Sequence, residues 1–323
     1  GAPLSYQWFK DGLSLAGATT ASFALAAVTT ADAGSYRVVI SDASGATPSQ
    51  LGSLTVLPNP LSYSSRQFAD VGGLTAFFAI EGSQSKRVLL RAVGPTLAAL
   101  GTPGTLVDPL LDVADASGAV VAANDDWSSV TAVNLPFVFS QVGAFPLTAG
   151  SKDAAVYAML APGSYAVRIR GANSGTGLAL LELFDADTNP LSRVAYVGLR
   201  GRVDAASGPL TAGLTMTNSA NKRMLLRAIG PGLRLASAHL NPHVQVFDLA
   251  SLVAQSDDWG GGPELVSAAA QAGAFPLPLN SVDAAVFLIT RVGTGAYTVQ
   301  APAAGGSGEV LLEFYDLPPV GSS

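Results

Sequence analysis

Short apolar runs separated by glycine, proline and polar residues recur along the whole chain, and their period is two. In KRVLLRAV (86–93) this places Arg87, Leu89, Arg91 and Val93 on one face and Val88, Leu90 and Ala92 on the other. The richest apolar stretches, AVYAML and LALLELF, have strand length. Near the start, SYQWFK reads as a strand with Tyr6 and Trp8 on one face and Phe9 on the other, and Asp11-Gly12 reads as a turn. SFALAAV (22–28), the run after TTADAG and LGSLTV (51–56) read as further strands.

Beyond residue 58 the chain is a tandem duplication. The segment NPLS occurs at 59–62 and again at 189–192, and further landmarks follow in the same order. KRVLLRAVGP (86–95) matches KRMLLRAIGP (222–231), NDDW (124–127) matches SDDW (256–259), VGAFPL (142–147) matches AGAFPL (272–277), and LLELFD (180–185) matches LLEFYD (311–316). Each copy reads as about eight short strands, including 76–80, 87–93, 110–115, 119–123, 154–160, 164–170 and 178–184 in the first. A short helix is expected over 133–142 and 264–272.

Asp32, Gly34 and Tyr36 form the pattern D-x-G-x-Y, and W-F-K-D-G lies upstream at 8–12. Together they resemble bacterial immunoglobulin-like modules, with Tyr36 as the tyrosine corner that opens strand F. The resemblance implies that Trp8 lies on strand C against the inter-sheet core, and that Val38 stands where the second cysteine would be. It covers only strands C to G within residues 1–57. Strands A and B are therefore cut from a longer chain, donated by a neighbouring copy, or dispensed with in a reduced sandwich. The two copies resemble β-sandwich repeats found in tandem at the C-terminal ends of long secreted bacterial proteins, and more loosely the jelly-roll pre-peptidase C-terminal domains. The expected fold is all-β: a partial immunoglobulin-like sandwich (1–57), two tandem jelly-roll-like sandwiches (58–188 and 189–318), and a tail (319–323).

Composition narrows the function classes. Apolar residues make up 49% and charged residues 12%, about half the usual charged share. No run approaches the roughly 18 to 20 apolar residues of a membrane helix. Net charge is −6, and the 17 basic residues are scattered, so nucleic acid is not an expected partner. With no cysteine there is no disulfide, thiol nucleophile or zinc–thiolate site, which suits a secreted bacterial protein. The 35 glycines and 20 prolines between apolar runs favour sandwiches.

Glu182 and Glu313 interrupt apolar strands, and a charge there needs a partner or water. Arg91–Glu182 and Arg227–Glu313 are candidate structural ion pairs, unless these side chains simply reach solvent. Asp125, Asp126, Asp257 and Asp258 sit in paired acidic loops that suit calcium, with Asp153 and Asp283 as additional ligands. No dense D-x-D-x-D-G loop accompanies them, and Asp is also a turn former. Trp127 and Trp259 are either sugar-stacking platforms or core anchors. His239 and His243 are the only histidines, and Pro242 between them argues for a solvated loop over a helical metal site. No cofactor is expected and catalysis finds little support, since G-x-S-x-G is absent and the paired acids carry no assignable roles.

The expectation is an extracellular structural protein of the bacterial surface, joined head to tail with copies of itself by strand complementation of the N-terminal domain. The rival expectation is a non-catalytic module that binds polysaccharide or a cell surface. That rival requires aromatics exposed together on one sheet face, with Trp127 or Trp259 open to solvent.

Overall fold

The computed structural model describes residues 3–25, 32, 34–54, 61–187, 189, 191–205, 207–218, 221–291, 293–304 and 306–318. The protein is all-β, as expected, and divides into two compact units, Gly1–Pro58 and Asn59–Ser323.

The first unit is one antiparallel sheet. It contains β1 (Ser5–Lys10), β2 (Leu13–Ser14), β3 (Gly34–Asp42), β4 (Gly45–Pro48) and β5 (Gly52–Leu54), ordered β2-β1-β3-β4 with β5 also on β3. Asp11 and Gly12 both have positive φ, 50° and 85°, which gives the tight two-residue turn that matches strand twist. Trp8 pairs with Val38, Tyr6 with Ile40 and Lys10 with Tyr36, so these side chains share a face. Phe9 is opposite Arg37 on the other face, where the guanidinium lies 5.4 Å from its ring.

The Tyr36 hydroxyl donates to Asp32 O at 2.7 Å, the backward bond of a tyrosine corner. SFALAAV departs from the expected strand: Ser22–Leu25 pair with no strand, and 26–28 lie outside the described residues. Trp8 N and Nε1 donate to Ala18 O and Thr20 O, each at 3.0 Å, which holds the preceding segment against β1. Phe23 instead turns onto the Trp8 and Tyr36 rings, at 5.8 and 6.0 Å. The strand within LGSLTV is confined to Gly52–Leu54, and Thr55 and Val56 lie outside the described residues.

The second unit holds both copies. The first supplies β6 (Ser62–Ala69), β7 (Leu74–Gly82), β8 (Lys86–Val93), β9 (Pro109–Asp115), β10 (Val120–Asn124), β11 (Ala154–Leu160), β12 (Gly163–Gly171) and β13 (Gly177–Asp185). The second supplies β14 (Ser192–Val203), β15 (Leu210–Asn218), β16 (Arg223–Ile229), β17 (Val244–Asp248), β18 (Ser251–Ser256), β19 (Ala284–Ile289), β20 (Gly293–Ala301) and β21 (Gly308–Leu317). Helices α1 (Pro95–Ala99), α2 (Leu135–Val142) and α3 (Pro263–Gln271) interrupt them.

Within a copy, four strands form each of two sheets, in the eight-stranded order of a jelly roll. Residues 58–188 and 189–318, expected as two tandem sandwiches, nevertheless share both sheets. One sheet runs β10-β9-β12-β7-β14-β21-β16-β19 and the other β11-β8-β13-β6-β15-β20-β17-β18. The seam uses one pairing twice. β7 pairs with β14, the counterpart of β6, and β15, the counterpart of β7, pairs with β6. This is an isologous contact inside a single chain.

One hydrophobic cluster fills the space between the sheets across both copies, from Phe78, Leu90 and Val113 to Leu214, Val246 and Phe314. Tyr63 sits in it at the seam, 3% exposed, with its ring edge-on to Phe314 at 5.6 Å. A cavity of about 10 Å³ lies beside it, lined mainly by Phe78, Leu90, Val197 and Leu199. The Tyr63 hydroxyl finds no hydrogen-bond partner among the described residues, and burial pushes its pKa up.

An unpartnered buried hydroxyl is costly, whereas removing it restores an apolar fit. Tyr63→Phe is therefore expected to stabilise the second unit by about 1 kcal/mol. The check is urea unfolding followed by tryptophan fluorescence, in which a lower midpoint would refute this account of the seam.

Candidate functional site

Each copy buries a charge beneath its helix, and sequence shows how. β8 is apolar on both sides: Val88, Leu90 and Ala92 enter the main core, while Leu89 and Val93 join a second cluster under α2. Asn134 caps α2 by accepting from Phe137 N at 3.1 Å, and Gly143, at φ 73°, ends it in the left-handed conformation. Leu135, Val138, Phe139 and Val142 recur at helical spacing and press onto the outer face of β8, β11 and β13. α3 does the same for β16, β19 and β21 with Leu265, Ala268 and Ala269.

Arg91 lies under α2, fully buried, opposite Glu182 on the neighbouring strand. Its Nε and Nη2 donate to Glu182 Oε2 at 2.8 and 2.5 Å, and Nη1 donates to Phe145 O at 2.6 Å. The Phe139 and Phe145 rings flank the guanidinium at 4.9 and 4.4 Å. In the second copy Arg227 Nε donates to Glu313 Oε2 at 2.8 Å and Nη1 to Phe275 O at 2.9 Å. Glu313 Oε1 also accepts from Tyr315 and Tyr196, at 2.9 and 3.2 Å. Burial raises the pKa of Glu182 and of Glu313, and the paired arginine opposes it.

Asp153 and Asp283, expected as calcium ligands, are instead fully buried and saturated by protein donors. Asp153 accepts from Gly94 N at 2.7 Å, from Thr96 N and Oγ1, and from Ser151 Oγ at 2.6 Å. Asp283 accepts from Gly230 N at 2.7 Å, Gly232 N and Ser281 Oγ. Both carboxylates hold the loop after the R-A-[VI]-G-P strand, and the converging N–H and hydroxyl donors occupy lone pairs that a cation would need. Gly94 and Gly230 admit no side chain there, because a Cβ would lie 2.0 and 2.1 Å from the Leu106 and His239 carbonyls.

Asp125 and Asp126 meet a third acid that sequence reading missed, Asp108, with one oxygen of each within 4.8 Å of the others. Burial raises the pKa of Asp108. Lys152 Nζ lies 3.0 Å from Asp126 and 3.9 Å from Asp108, so this cluster carries its own cation. At the corresponding positions the second copy has Asn241 and Val282 beside Asp257 and Asp258, losing an acid and a base together. The signal for Asp108 was its place just before β9, visible only once the strand order brings that end beside the NDDW loop.

The two tryptophans are not open platforms. Trp259 is 3% exposed, and Trp127 is half-buried with Nε1 donating to Ser151 Oγ at 3.1 Å. Trp8, Tyr36 and Val38, expected as core anchors, share one face of the first unit but are only half-buried.

His239 corrects the expectation of a solvated loop. It is fully buried, whereas His243 is half-buried. His239 N donates to Glu309 O at 2.9 Å as Leu106 N donates to Leu178 O at 2.8 Å, so His239 occupies the place of a core leucine. Its Nδ1 accepts from Asn241 N at 3.2 Å, and Nε2 has no partner among the described residues.

Two outcomes follow from these contacts. Arg91→Met should cost about 3 to 5 kcal/mol by stranding Glu182, while Arg91→Met with Glu182→Leu should recover most of it. Chemical denaturation of both variants decides between a pair that supports the fold and one that is merely tolerated. His239→Leu should stabilise the second unit by about 1 to 3 kcal/mol, measured the same way.

No family model and no curated protein matches this chain. Among solved structures it is similar to the M60 catalytic domain with two CBM51 domains of Clostridium perfringens ZmpB, at 7% identity and a TM-score of 0.22. That match covers 97% of this chain and 52% of the other, so this chain spans about half its length. It is also similar to the tandem CBM51 modules of the family 98 glycoside hydrolase of Streptococcus pneumoniae SP3-BS71, at 9% identity and 0.22, covering 90% of this chain and 88% of the other. Immunoglobulin domains 1–5 of Sidekick-1 follow at 8% identity and 0.20, covering 96% of this chain and 91% of the other. Scores this low carry no argument about function.

Proposed function

We propose that this chain is a structural component of a bacterial surface assembly, in which copies join head to tail and the N-terminal sheet is the joint. One observation carries the reading. No described residue of the first unit is fully buried, although Tyr6, Trp8, Tyr36, Val38 and Ile40 gather on one face. The second unit closes the same residue types into a continuous core. A sheet with an apolar face and short edges is completed by added strands, whose backbone bonds give affinity and whose side chains fill the face. The jelly-roll pair then serves as a stiff stay, because both its sheets run unbroken through the seam.

The gathering of Tyr6, Trp8 and Tyr36 on one face also favours a second reading, a module that stacks a sugar ring on that face. Its expected platforms Trp127 and Trp259 are occupied in packing, which leaves the first unit to do the binding. In either role the work is attachment. No helix among the described residues is long and apolar enough to cross a membrane.

Light scattering and electron microscopy of the purified chain test the joint. Oligomers or filaments should form, and Trp8→Ser with Tyr36→Ser should abolish them while the second unit stays folded. A monomer at all concentrations that binds a polysaccharide through Trp8 would replace assembly with the second reading.

A further inference from the structure

The first copy contains a second buried charge cluster that the ion pairs above do not explain. Lys86 opens β8 and is 2% exposed. Its Nζ lies 2.9 Å from Asp185 Oδ1, at the end of β13, and 2.8 Å from Asp187 Oδ1 just beyond. The carbonyls of Asp187 and Asn189 complete the shell at 3.3 Å. Asp187 is fixed in place, since Oδ2 accepts from Arg87 N at 2.6 Å and Oδ1 from Asn189 N at 2.9 Å.

The two carboxyls are driven apart chemically. Burial pushes Asp185 up to about 6, against the pull of Lys86. Burial also works against Asp187, but its bonds from Lys86, Arg87 N and Asn189 N hold it below the ordinary carboxylate range. Burial thus makes Asp185 the easier of the two to protonate, and the bonds to Asp187 favour its carboxylate. A lysine amine between them, away from water, has an electrophile on one side and a base on the other.

We propose that Lys86 and Asp185 condense to an intramolecular amide, with Asp187 as the proton carrier. The Lys86 ammonium gives one proton to the Asp185 carboxylate. The amine then attacks Asp185 Cγ and gives a second proton to Asp187. The Cγ–hydroxyl bond breaks, and the hydroxyl leaves as water with the proton that Asp187 returns. One Nζ–Cγ bond forms, one C–O bond breaks, one water is released and Asp187 is regenerated, so no oxidant or other reactant is needed. The product ties the start of β8 to the end of β13 in a chain that has no cysteine to do so.

The second copy supplies an internal comparison. Lys222 Nζ meets Asp316 Oδ2 at 2.5 Å, but Pro318 stands where Asp187 would recur, and Arg193 lies 3.6 Å from the same acid. With no second carboxylate beside Lys222 among the described residues to carry the proton, and an arginine sharing Asp316, the reaction is confined to the first copy.

Intact mass of the denatured full chain decides the matter. The expected mass is one water below that of the sequence, with the Lys86 and Asp185 peptides joined after digestion. Lys86→Arg should restore the full mass. Asp185→Asn should lose one ammonia in place of one water, and Asp187→Asn, folded by circular dichroism, should remain uncondensed. A wild-type chain that keeps its full sequence mass after long incubation at neutral pH would show an ordinary ion pair and overturn the proposal. Condensation in Asp187→Asn at the wild-type rate would overturn the role given to Asp187.

Discussion

Backbone groups at a strand edge must find partners, and that requirement governs how the two copies meet. β6 and β7 would each present an open edge if the first copy stood alone, as would β14 and β15 in the second. Each edge is satisfied by the other copy, through the same pairing used twice. The core follows from this. Tyr63, Val197, Leu199 and Leu214 belong to a single apolar cluster because the sheets above and below them do not stop at the copy boundary. Arg193 of β14 reaches both Glu81 of the first copy, at 2.8 Å, and Asp316 of the second, so ionic contacts also cross the seam.

The outer faces solve a different problem. A jelly roll buries the inner face of each sheet and leaves the outer one wet, but half of each outer face here lies under a helix. Those halves carry Arg91 and Arg227, and covering them removes water from two full charges. The molecule compensates with one carboxylate oxygen that accepts from two guanidinium nitrogens, a carbonyl and aromatic faces around each guanidinium. The copies reach the same result with different side chains. Phe139 and Phe184 of the first copy become Ala269 and Tyr315 in the second, and Tyr196, which pairs with Tyr315 as Ser62 pairs with Phe184, brings a ring against Tyr315 at 4.8 Å. Glu313 thereby gains two hydroxyl donors. Two solutions in one chain indicate that the buried pair is the retained feature and its aromatic wall the adjustable one.

The first unit obeys the same rules with fewer strands. Its tyrosine corner and tight hairpin turn form locally, from residues close in sequence. Among the described residues, its apolar face rests on the segment around Phe23. Among its described residues, local geometry is complete while no side chain is fully buried.

Period-two patterning, turn residues and the repeated landmarks made the all-β class, the duplication, the positions of α2 and α3, and both faces of β8 legible in the sequence, because each depends on neighbours along the chain. The charges within β8, β13, β16 and β21 were likewise visible, since a charge inside an apolar strand stands out before its partner is known. Sequence could not show that β7 would pair with β14, because edge pairing depends on which strands are adjacent in space and not on their own composition. Nor could it show that Asp153 and Asp283 would be claimed by converging N–H groups, that Asp108 would join Asp125 and Asp126, or that His239 would occupy the place of a leucine. Those outcomes were decided by the tertiary structure, which alone determines whether a polar group meets a donor, another charge or the core.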